Sequence, residues 1–295
     1  MEARLTAFTH APHIGKGSAF ALLAFFFMAV FGVLTKQACE TGNFIWVSFI
    51  TYFTASLGTA LFILPKGISA LKSQRYPYLI ARAVIGTLAS FLYMVSMHYI
   101  SVINSTLLFN TAPIFIPFLT VFVLKVHVPK SVWHAVILGF IGIIAIIRPD
   151  HGIFTDPGNL IGLASGFALA VAYLIMKYLT ATETGLRIIF YYFGIGMLIQ
   201  IPLLFWGGPP PSLETIAYAG GSGIMLMIAQ LGLINAYRYA AASQVGVYQY
   251  TSIVFVALIE WLFWSRTPGL FDYMGFVLVT IAGIIIIFSS GPRSK

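Results

Sequence analysis

The stretch GSAFALLAFFFMAVFGVLTK, residues 17–36, aligns without a gap on GNLIGLASGFALAVAYLIMK, residues 158–177. Six pairs are identical at an offset of 141: Gly17/Gly158, Leu22/Leu163, Phe26/Phe167, Ala29/Ala170, Val30/Val171 and Lys36/Lys177. The two halves also end alike, GIIAII at 142–147 answering GIIIIF at 283–288. Both quoted stretches are apolar runs of the ~20 residues that cross a bilayer core. One membrane-spanning unit has been used twice.

Working outward, ten apolar spans can be read at 17–36, 44–64, 78–97, 101–124, 131–148, 158–179, 186–206, 215–237, 241–264 and 270–289. Five spans per copy is an odd number, so the second copy inserts upside down. Inverted repeats of this kind are typical of secondary transporters. The expected fold is an all-α integral membrane protein, ten transmembrane helices as two inverted five-helix repeats. The expected divisions are a cytoplasmic N-terminal segment at 1–16, a first repeat at 17–148, a loop at 149–157, a second repeat at 158–290 and a cytoplasmic tail at 291–295.

Composition excludes a soluble class. The chain is 59% hydrophobic and only 8% charged, more apolar surface than a soluble chain of this length can hide. The formal charge of +8 does not point to nucleic acid, because its distribution follows the membrane. With the N-terminus inside, only Lys36, Arg148 and Arg266 of the sixteen lysines and arginines fall on the outer side. The positive-inside rule then puts both termini in the cytoplasm of a multi-pass inner-membrane protein. A single cysteine, Cys39, excludes an internal disulfide framework. The first apolar run is long enough to span and has no small-residue cleavage site after it, so it reads as a retained helix.

Prolines and glycines mark special places. Pro113 and Pro117 lie near the middle of the fourth span, where each removes a backbone donor and is expected to kink the helix. Gly162 and Gly166 give the sixth span a GxxxG close-packing face.

Residues 82–149, RAVIGTLASFLYMVSMHYISVINSTLLFNTAPIFIPFLTVFVLKVHVPKSVWHAVILGFIGIIAIIRP, carry a family likeness. An Arg and Gly open the third span, an aromatic-rich continuation and a Ser/Asn-bearing turn follow, then NTAPIF, then a last span ending GIIAII. The pattern resembles the EamA-type repeat of the drug/metabolite transporter superfamily, and the second half resembles another copy. The resemblance implies a ten-helix bundle around a central cavity lined mostly by spans 1, 3, 4, 6, 8 and 9. It also implies amino acids and other small metabolites as cargo, often exported. The sequence departs from the pattern where the fourth and ninth spans often end Leu-Gly-Glu. Those places read Leu124-Lys125-Val126 and Trp264-Ser265-Arg266, while Glu260 lies inside the ninth span, where a small residue is common.

Ionisable groups inside a span are costly and tend to be functional. Glu260 is the one acid inside a span, the expected first carrier if transport is coupled to protons; pairing with Arg266 is its structural alternative. Arg82, a turn inside the third span, is either a gate or anion-pairing group or a side chain that snorkels to headgroups. Lys36 and Lys177 are repeat mates on opposite faces. Lys177 suits the charge rule and reads as structural, whereas Lys36 breaks the rule and reads as a coupling or gating candidate. Asn110, Gln230 and Gln249 are the deepest amides, and with Tyr93 and Tyr250 they form the expected substrate-binding set. Asn104, Asn235 and Gln244 lie nearer span ends, where capping explains them.

The histidines scatter without metal spacing, and no paired carboxylates, nucleophile elbow or Walker loop occurs. Neither catalytic residues nor a metal or cofactor are expected. The expected partners are a small-molecule substrate and the lipid bilayer. An amino acid or related metabolite, exported by alternating access, is the first reading. An uncoupled exchanger or facilitator of a nucleoside-like or methionine-derived metabolite is the second. An intramembrane lipid-handling enzyme would need a reactive cluster at one depth, and a channel a repeating polar stripe.

Overall fold

Hydrocarbon offers no water to a peptide group, so each crossing must close its own hydrogen bonds. In a computed structural model that describes residues 13–150, 156, 158–265 and 267–288, ten helical spans do so. They are Ile14–Thr41, Phe44–Lys66, Tyr76–Tyr99, Val102–Phe122, Lys130–Ile147, Gly158–Leu179, Gly185–Trp206, Leu213–Tyr239, Ala242–Trp264 and Leu270–Phe288, spans 1 to 10 in order. Arg266, the tail and most of the expected segments 1–16 and 149–157 lie outside the described residues. Span 1 has 28 residues, ~42 Å of helix, and overruns the ~30 Å hydrocarbon core. Side chains on short polar turns satisfy the exposed first-turn donors. Asn43, Ser101, Thr184 and Ser212 each accept a hydrogen bond from the backbone of the helix they open.

The spans pair as an inverted repeat requires. Span 1 runs along span 8, and its counterpart span 6 runs along span 3, while spans 5 and 10, each other's counterparts, pack together. Small residues let these pairs approach closely, the usual membrane device where apolar burial drives little. A side chain at Gly17 would meet Ala240 of span 8; one at Gly158, its mate, would meet Tyr99 and Ile100 of span 3. Large apolar side chains such as Leu61, Phe62, Phe122, Leu262 and Phe263 stay exposed, as lipid contact demands. Spans 2 and 7 meet where Tyr52 and Tyr192, 140 residues apart, bring their hydroxyls to 3.0 Å. Tyr52-Phe53 and Tyr192-Phe193 answer each other at an offset of 140, one less than in the opening spans, and as repeat equivalents in contact they put the internal two-fold axis between these two rings.

Spans 4 and 9 are broken at matching places. Span 4 consists of Val102–Phe109 and Ala112–Phe122; span 9 consists of Ala242–Val247, a tight turn at Tyr248–Tyr250 and Thr251–Trp264. The sequence predicts a kink at Pro113 and Pro117, but the break falls earlier, at Asn110 and Thr111. Pro113 instead occupies the first turn of the second piece, where a missing N–H costs nothing. Pro117 remains within that helix.

Candidate substrate site and the two ends of the bundle

A broken helix leaves carbonyls without their i+4 donor, and in a membrane something must replace it. At the span 4 break the Thr106 carbonyl keeps its backbone donor, the Asn110 N–H at 3.1 Å, the Leu108 carbonyl accepts from the Thr111 N–H at 3.1 Å in place of its i+4 donor, and two side chains add to these carbonyls. Asn110 Nδ2 donates to the Thr106 carbonyl at 2.9 Å, and its Oδ1 accepts from Gln249 Nε2 at 3.2 Å. Thr111 Oγ1 donates to the Leu108 carbonyl at 2.5 Å. Gly166 of span 6 faces this spot: a side chain there would strike the Leu108 carbonyl and the Thr111 hydroxyl. The two breaks therefore touch through one amide pair, and the Oε1 of Gln249 is buried there with no partner among the described residues.

Two predicted aromatics sit to either side. The Tyr93 hydroxyl lies 2.9 Å from Thr106 Oγ1 and its ring packs on Phe109, which ties span 3 to span 4 just before the break. Tyr250 is fully buried, with its ring against Gly139 and Phe140 of span 5 and its hydroxyl without a partner among the described residues.

Gln230 belongs to a second polar centre. Arg82 is 2% exposed and does not snorkel. Its guanidinium extends past Gly86, one turn deeper than its own Cα, so that a side chain at Gly86 would strike Nη1. The guanidinium carbon lies 4.2 Å from the Tyr192 ring centre, and Nη2 donates to Gln230 Oε1 at 3.4 Å. Met176 of span 6 completes that side at 4.0 Å. Nε and Nη1 have no hydrogen-bond partner among the described residues. Arg82 thus joins spans 3, 6, 7 and 8 beside the two-fold axis. At the offset of 140 that relates spans 3 and 8, its repeat mate is Ser222, an uncharged residue whose hydroxyl meets Thr51 at 2.7 Å.

The bundle ends differ. Call the face where span 1 begins the near face. At the near face Lys177 is 2% exposed and its ammonium donates to the Tyr237 and Ala240 carbonyls, at 2.6 and 2.9 Å. It caps the C-terminus of span 8 and holds span 6 against it. At the far face the equivalent carbonyls are Met97 and Ile100 of span 3. Lys36 does not repeat the arrangement. Its side chain is 57% exposed and pairs with Glu260 Oε1 at 2.8 Å. Two coupling candidates thus form one ion pair across spans 1 and 9. The alternative partner, Arg266, lies outside the described residues. Asn104 and Gln244 act as capping residues: Asn104 exchanges hydrogen bonds with Asp150, and Gln244 accepts from the Ala241 backbone.

Sequence reasoning missed Tyr52, Tyr192 and Met176, and the load carried by Lys177. The two tyrosines stand 140 residues apart, one short of the opening offset, a spacing hidden among fifteen tyrosines; the neighbours of Met176 and Lys177 come from spans distant in sequence.

The EamA-like transporter family matches this sequence twice, over residues 15–148 and 156–289. The chain belongs to the EamA-like transporter family. Among curated relatives, the pseudopaline exporter CntI of Pseudomonas aeruginosa is 28% identical over 276 residues, which cover 92% of this chain and 95% of that one. The S-adenosylmethionine uptake transporter of Rickettsia prowazekii is 24% identical over 281 residues, 93% of each chain. A crystal structure of a protein with 14% identity superposes with a TM-score of 0.80, covering 93% of this chain and 97% of that one, and shows the shared fold. This EamA-type protein is therefore a membrane transporter of small metabolites rather than an enzyme.

Proposed function

We propose that the protein is a secondary transporter that moves a small organic metabolite, an amino acid or related compound, out of the cell across the cytoplasmic membrane by alternating access. The observation that carries this reading is the pair of matching breaks in spans 4 and 9, joined by Asn110 and Gln249. Discontinuous helices at equivalent places in two inverted halves are where transporters of this design bind cargo, because only there can loose backbone and side-chain groups face a substrate. Asn110, Gln249 and Gln230 orient the cargo, and Tyr93 and Tyr250 wall the site. The near face is cytoplasmic, as its excess of lysine and arginine favours. Lys36 and Glu260 gate the outer end, and Glu260 carries the proton if transport is coupled to one.

The relative that takes up S-adenosylmethionine favours a second reading, exchange of a nucleoside-like or methionine-derived metabolite without a proton gradient. Counterflow in proteoliposomes separates the two. Saturable flux that needs a pH gradient supports the first, and exchange without a gradient supports the second. Flux proportional to concentration without saturation overturns both.

A further inference from the structure

An arginine in the membrane interior carries a large desolvation cost, and proteins meet it with an opposite charge or a full set of acceptors. Arg82 has neither. The ion pairs among the described residues are Lys36–Glu260, Arg148–Asp272 and Arg187–Glu183, and none includes Arg82. Its one oxygen acceptor is a neutral amide at 3.4 Å, a long contact, and its other close neighbour is a thioether. The Tyr192 ring face attracts the cation without neutralising it. Nε and Nη1 are buried with no acceptor among the described residues. The glycine at 86 leaves the room that lets the guanidinium reach inward instead of back to the headgroups. Two further unused hydroxyls are buried on the helices that frame it, Thr87 on span 3 and Tyr237 on span 8. A buried, aimed cation with spare donors is a site prepared for an anion that arrives and leaves.

We propose that Arg82 is the anion subsite of the transport site, and that the cargo carries a carboxylate which Arg82 receives beside Gln230. The proposal rests on the transporter reading and names the charge class of its cargo. Because Ser222 stands at the repeat-equivalent position, only one half of the molecule holds this charge, and the cargo binds in one orientation.

The test uses the purified full-length chain in detergent and reads binding by thermal unfolding. The probes are free amino acids, each beside its carboxamide, then inorganic phosphate, and phosphatidylglycerol added as lipid. The expected result is an amino acid bound at least about tenfold tighter than its amide, with the preference lost in Arg82→Gln and kept, at weaker affinity, in Arg82→Lys. Equal binding of the amide, an unchanged preference in Arg82→Gln, or no binding by any amino acid overturns the proposal. Arg82-dependent binding of phosphate or phosphatidylglycerol alone also overturns it, and assigns the cation to a phosphate or a headgroup. Loss of a monodisperse protein in both variants assigns it to folding and overturns it as well. Proteoliposome flux separates the two levels. Absent flux with the amide discrimination intact sinks the transporter reading alone, whereas Arg82-independent flux of a neutral cargo sinks the anion subsite alone.

Discussion

Lys177 and Lys36 began as the same residue in two copies of one unit, and they now do opposite things. Lys177 is buried and holds two carbonyls at the end of span 8; Lys36 is largely exposed and leans on Glu260. The difference extends around them. Met176, one residue before Lys177, is fully buried, while its mate Thr35 is only half-buried. At the near face Lys177 therefore ties span 6 to span 8, whereas at the far face Lys36 reaches Glu260 of span 9 instead of the equivalent carbonyls of span 3. In an inverted repeat, a conformational change can exchange the environments of the two copies. On the alternating-access reading proposed above, the asymmetry corresponds to one half of the cycle, with the near face shut and the far face open. The other half would have Lys36 on the Met97 and Ile100 carbonyls and Lys177 released.

Three substitutions test the comparison. The largest effect on stability belongs to Lys177→Met, which leaves two buried carbonyls without their donor. It should cost about 1–3 kcal/mol in detergent-solubilised protein, read from the unfolding midpoint, and open the near face. A loss below a few tenths would mean the buried ammonium is not a latch. Lys36→Met should cost no more than about 1 kcal/mol, since it breaks a partly exposed pair. Its transport rate should nevertheless fall as far as that of Lys177→Met, because the far face needs the same latch in the other state. Equal stability costs for the two lysines would remove the asymmetry. The smallest effect on stability is expected from Glu260→Gln, which keeps shape and hydrogen bonding. Insertion should be unchanged while the pH dependence of transport disappears; transport that follows pH as before would remove Glu260 from coupling.

Much of this was legible in the sequence, and the rest was hidden for identifiable reasons. The repeat, the ten spans and the pairing of Lys36 with Lys177 can be read from alignment alone. Asn110 and Gln249 were marked as deep amides, and the structure brings them into contact. The sequence points to Pro113 and Pro117 for the kink, but the break lies at Asn110 and Thr111, because Pro113 serves as a first-turn residue after it. The direction of Arg82 was not legible, since it depends on space at Gly86 and on a ring from span 7. Tyr52 and Tyr192 were hidden among many aromatics, although their offset of 140 marks them as axis residues. The tie of Tyr93 to Thr106 and the seat of Tyr250 on Gly139 depend on packing that no single span reveals.

The most direct test of alternating access labels the two ends at once. On a Cys39→Ala background, which removes the one native cysteine, Thr35→Cys and Met176→Cys report on repeat-equivalent positions. A water-soluble maleimide that does not cross the membrane is applied from each side of proteoliposomes, with and without transported cargo. The account predicts a reciprocal change. Thr35→Cys starts reactive and becomes protected during transport, while Met176→Cys starts protected and becomes reactive from the other side. Labelling that stays fixed at both positions, or rises and falls at both together, would contradict it.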